Sequence, residues 1–89
     1  MKSIWKYEIE LGGKITEHSI PKYAEFLSIQ NQNNKIVLWY FVDTLEEMEI
    51  KNFKYVLTGH EFTSNFKKYL GTVQLNDGTF VVHVFEEYK

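Results

Sequence analysis

Three histidines, His18, His60 and His83, are the residues whose chemistry would matter most if they met. Three imidazoles can hold a zinc ion, or one can act as a general base. Their spacing works against both. No two stand four apart as on a helix, and no serine or threonine is tied to a histidine by position. A nucleophile needs a base and a third group that orients the base. His83 lies in an apolar strand pattern, and His60 follows Gly59 in a loop. The loop precedes a strand paired in a hairpin with the one carrying His83, so these two could approach. No metal, cofactor or catalytic residue is expected.

The carboxylate pairs Glu46-Glu47 and Glu86-Glu87 are adjacent in sequence. Neighbouring strand residues point to opposite faces, so each pair reads as solvated charge. The aromatic set Trp5, Tyr7, Trp39, Tyr40, Phe41 and Tyr55 could stack nucleobases. Such platforms sit in basic grooves. Here Lys6, Lys51 and Lys54 are interleaved with Glu8, Glu10 and Glu49. Packing, or a face for another protein, fits that mixture better.

Composition narrows the choice further. The chain has 89 residues and a net charge of −2. It lacks the basic excess of a direct DNA binder and the acidic excess of a DNA mimic. All ten basic residues are lysines, so bidentate phosphate recognition by arginine is out of reach. There is no cysteine, which removes disulfides and thiolate sites and agrees with a cytoplasmic setting. The start, Met1 to Lys6, enters a strand pattern directly, so no secretory leader is expected, and no membrane-spanning stretch is present. Aromatics make up 17% of the residues, a heavy load for one small core. Some should lie on a surface and favour self-association or a partner.

The elements that must position these residues are strands. Ile36 to Val42 is apolar at all seven positions, so both faces of that strand are expected to be covered. On that reading, truncating Trp39 would cost about 3 to 5 kcal/mol. Trp5 to Leu11 alternates as a half-buried strand ended by Gly12-Gly13. Ile15 to Ser19 is a short return strand stopped by Pro21, and Phe26 to Gln30 is a third. Asn31 to Asn34 turns the chain into the apolar run. Asp43 to Glu47 is an acidic connection, and Met48 to Leu57 alternates again. The stretch to Lys68 reads as a loop, although Phe62, Phe66 and Leu70 would also fit a short helix. Gly71 inside a strand pattern signals a bulge or a close backbone approach. Asn76-Asp77-Gly78 is the strongest hairpin signal, and Thr79 to Phe85 is the last strand.

The sum is a single domain over residues 1–89, all-β, a compact antiparallel sandwich or partly open barrel of about seven short strands. Candidate binding residues are Trp5, Tyr7, Tyr40, Tyr55, His60 and His83. A homodimer is expected, with Val84 and Phe85 of the last strand as the contact, on the premise that this strand sits at a sheet edge.

Five blocks occur together: Ile4-Trp5-Lys6-Tyr7-Glu8-Ile9, Leu38-Trp39 with Val42-Asp43, Thr58-Gly59-His60, Tyr69-Leu70-Gly71-Thr72, and Val82-His83-Val84-Phe85-Glu86. In this order they resemble a family of small uncharacterised phage and prophage proteins. The resemblance implies an accessory binding protein in the host cytoplasm that neutralises a host defence factor by binding a host protein. It leaves open a sponge that sequesters a nucleotide immune signal. A self-associating structural or morphogenetic phage component is the remaining alternative.

Overall fold

A computed structural model describes residues 1–12, 15–63 and 65–88. Gly13, half of the expected glycine turn, lies outside the described residues. Seven strands run in chain order: β1 Lys2–Ile9, β2 Thr16–Pro21, β3 Glu25–Gln32, β4 Lys35–Asp43, β5 Met48–Leu57, β6 Phe66–Leu75 and β7 Phe80–Glu87. They form two antiparallel sheets, one ordered β1-β4-β3 and the other β2-β5-β7-β6. The fold is all-β, an open sandwich not closed into a barrel.

Local chemistry explains the turns. Asn33 and Asn34 join β3 to β4 with φ of 53° and 64°, the twist that a tight hairpin needs and asparagine tolerates. Asn76, Asp77 and Gly78 all have positive φ in the β6–β7 hairpin.

The inner faces make one core. Ile9, Ile36, Leu38, Tyr40 and Val42 of the first sheet meet Ile20, Phe53, Leu70, Val73, Leu75, Val82 and Val84 of the second. Two seams hold the layers together. At one, the Asn31 side-chain amide donates to the Gln74 carbonyl at 2.7 Å, and the Asn76 N–H donates to Asn34 Oδ1 at 2.7 Å. At the other, His18 Nε2 donates to the Glu8 carbonyl at 2.6 Å.

The apolar run of β4 is fully covered on one face and only in part on the other. Its even residues are buried; on the outer face Val37 is buried as well, but Trp39 is half-buried and Phe41 is 39% exposed. Instead of a second layer, lysines roof them. Lys6 Nζ lies 5.8 Å from the Trp39 ring centroid and Lys2 Nζ 5.9 Å from that of Phe41. Ring faces are electron-rich, and a lysine stem is apolar, so an exposed strand can be shielded this way.

The last strand also departs from expectation. β7 is not an edge: β5 and β6 pair with it on either side. Its even residues face inward, so Val84 is fully buried, at 0% exposure. Val84 is therefore a core residue and not a contact residue. Glu86 shares that parity and is buried too, between Lys51 Nζ at 3.3 Å and Lys67 Nζ at 3.7 Å. Glu86 is thus a paired interior carboxylate and not solvated charge.

Candidate functional site

The outward face of the four-stranded sheet carries the chemistry. Antiparallel register sets its side chains in rows across β5, β7 and β6. One row is Val56, His83 and Thr72, the next is Lys54, Phe85 and Tyr69, and the third is Asn52, Glu87 and Phe66. Phe66, Tyr69 and Thr72 share this face despite their three-residue spacing. Register shifts between Phe66 and Lys68 and between Tyr69 and Gly71 each insert one residue and reset the alternation.

The aromatic side chains form one cluster. Phe62, from the β5–β6 loop, stacks on Phe85 with centroids 4.4 Å apart and planes 23° apart. Phe66 and Tyr69 flank Phe85 at 4.7 and 5.2 Å. Phe66 is 44% exposed and Tyr69 50%. Lys54 Nζ stands 5.8 Å from the Phe62 centroid and places a cation at the rim.

A chain of hydroxyls borders the cluster. Tyr69 Oη meets Thr72 Oγ1, which lies 2.9 Å from His83 Nδ1. His83 Nε2 lies 2.7 Å from Thr58 Oγ1. A neutral imidazole donates at one nitrogen and accepts at the other, so one threonine gives its proton to His83 and the other receives one. The result is a fixed ring orientation. Among the described residues, both ring nitrogens are used by hydroxyls, with no carboxylate on the second nitrogen to orient a base.

Beside this face lies an open groove of about 540 Å³, bordered by Ile15, Lys54, Tyr55, Val56, His60 and Glu61. The turn that carries His60 is set by Gly59 at φ 86°, and the His60 N–H donates to the Leu57 carbonyl at 3.0 Å. The Gly12 N–H donates to the Tyr55 phenol at 2.8 Å.

Of the candidates, Tyr55 and His60 therefore share a groove, and His83 lies across the strand from Val56, which lines it. Phe85 joins the exposed cluster. Trp5 and Tyr7 are on β1 in the other sheet. Tyr7 faces the core, edge-on to Tyr40 with centroids 5.8 Å apart. Tyr40 is buried in the core and cannot meet a partner. Burial first, then the Glu86 carboxylate and Tyr7, push its phenol pKa up. Among the described residues, no group of three or more His, Cys, Asp or Glu side chains is placed to hold a metal ion.

Sequence reasoning missed Phe62, Phe66 and Tyr69 as surface residues. Apolar residues at both parities of the last strand were the available signal, since Val81, His83 and Phe85 alternate with Val82 and Val84.

A family described as a domain of unknown function, DUF7352, matches residues 1–89. No curated protein and no solved structure matches the chain.

Proposed function

This chain belongs to the DUF7352 family, and on that premise we propose that it is a non-enzymatic binding protein that recognises another protein through the β5–β7–β6 face. The observation that carries the reading is the aromatic cluster on the sheet's outward face, in which Phe66 and Tyr69 are exposed and Phe62 and Phe85 half-buried beneath them. Rigid aromatics dominate protein contacts because they bury much area and lose little rotamer entropy. The His83 hydroxyl chain adds directional donors and acceptors beside them. The partner we infer presents an apolar patch with an acidic rim facing Lys54.

The phage or prophage setting belongs to this proposal, through the sequence blocks described above. In that setting the partner is a host defence protein, and binding blocks it in the host cytoplasm. A nucleotide sponge is less well supported. The groove sets one lysine, Lys54, against Glu61. The cavity of about 360 Å³ that holds Lys6 and Lys35 pairs Lys35 with Glu8 at 3.7 Å. Phosphates need surplus positive charge.

Affinity capture from bacterial host lysate tests the proposal, with wild type and the Phe66→Lys/Tyr69→Lys variant side by side. Retention of a protein by wild type and its loss by the folded variant is expected. Equal capture by both, or a stoichiometric small ligand in native mass spectrometry, would overturn it.

A further inference from the structure

The open edge of β1 pairs with the same edge of a second copy; we propose this as the self-association surface of the chain. Sheet edges attract further strands unless something blocks them. Three of the four edges here are guarded. β3 and β6 carry register shifts and are tied to each other by Asn31, Asn34 and Asn76. β2 is short and ends in Pro21. β1 runs for eight residues in unbroken register with β4.

The direction of its free backbone groups follows from the ladder. The Thr44 N–H donates to the Met1 carbonyl, so odd-numbered residues of this arm bond to β4. Antiparallel pairs alternate, so Lys2, Ile4, Lys6 and Glu8 aim N–H and C=O away from β4. The seam confirms the parity, since the Glu8 carbonyl and the Glu10 N–H bond to His18 and Thr16. His18 thus takes the Glu8 carbonyl, so the backbone groups left open for a further strand are those of Lys2, Ile4 and Lys6.

The lysines do not cover this edge. Lys6 Nζ reaches across the sheet to Gln32 Oε1 at 3.0 Å, and Lys2 Nζ lies 3.8 Å from Asp43 on β4. Beside the bare backbone stand Ile4, which is exposed, and Trp5, 36% exposed on the opposite side.

Charge selects the occupant and the register. In a two-fold antiparallel pairing centred on Trp5, the backbone bonds join Ile4 to the partner's Lys6, and at the ends the Lys2 side chain lies beside the partner's Glu8, which also has Lys35 at 3.7 Å. Each contact occurs twice by symmetry. Trp5 meets the partner's Trp5 at a non-hydrogen-bonded position, where side chains approach most closely. Centring one step toward the N-terminus would set Lys2 against the partner's Lys6. Centring one step the other way would set Lys6 against the partner's Lys6. Both juxtapose like charges, which leaves the Trp5-centred register. The product is a continuous six-stranded sheet, closed as a dimer because the outer β3 edges are guarded.

A charge-swap series measured by sedimentation equilibrium tests this. Wild type should be dimeric at tens of micromolar. Lys2→Glu and Glu8→Lys should each weaken the dimer by about tenfold or more, because each creates two like-charge pairs. The double variant Lys2→Glu/Glu8→Lys should restore it. Both side chains are exposed, and unchanged far-UV circular dichroism will show that each variant is folded. A monomeric wild type, an assembly larger than a dimer, insensitive single variants or an unrestored double variant would each overturn the proposal.

Discussion

The Cγ2 methyl of Ile29 on β3 lies 2.5 Å from where a Cβ on Gly71 of β6 would stand. Gly71 also holds φ 149° at a register shift, a conformation that side chains rarely adopt. The two sheets approach closely here because this residue has no side chain. Gly71→Ala is therefore expected to cost about 2 to 4 kcal/mol, from overpacking plus backbone strain. Urea unfolding checks this, and an unchanged midpoint would mean that the sheets part easily at this seam.

Trp39→Ala is expected to cost about 1 to 2 kcal/mol, since the side chain is only half-buried, with Lys6 over its ring in place of a second layer. A loss of 4 kcal/mol or more, typical of a buried aromatic, would mean that this face is covered in solution.

Tyr40 Oη is buried without a hydrogen-bond partner among the described residues. A buried phenol left unpaired costs free energy, so Tyr40→Phe should be neutral or stabilising by up to about 2 kcal/mol. Burial raises the phenol's pKa above the ordinary tyrosine value. The folded state thus holds the proton more tightly. Its contribution is full below the unfolded pKa and is lost as pH rises toward the folded one. Urea midpoints from neutral to strongly alkaline pH should fall for wild type, and the fall should be shallower for Tyr40→Phe.

Asp43 behaves in the opposite sense. The Leu45 N–H donates to its Oδ1 at 3.1 Å, and the chain's terminal ammonium stands 3.4 Å away. The backbone bond first, then the ammonium and Lys2, lower its pKa below the ordinary carboxylate range against a smaller opposing effect of desolvation. Its stabilisation is therefore present above the unfolded pKa and is lost as pH falls through the folded one. Asp43→Asn should be less stable than wild type at neutral pH, and the gap should close in strong acid. A gap that persists in acid would mean that shape, not charge, is what Asp43 supplies.

Strand identity was legible in the chain because it is local. Two-residue alternation marks β1, β5 and β7, and Asn-rich or Asp-Gly turns mark the two tightest hairpins, without reference to any distant residue. The signal failed where spacing changed. Two inserted residues gave Phe66, Tyr69 and Thr72 a three-residue rhythm that resembles a loop or a helix, although all three stand on one strand face. Adjacency was not legible either. Whether β7 is central or an edge depends on which strands bond to it, and that depends on pairings between residues far apart in the chain. Those pairings bury Tyr40 and Val84, hold Glu86 between lysines, and leave Phe85 facing outward. Alternation separates the two faces of a strand, but only the packing of one sheet on the other decides which face meets water.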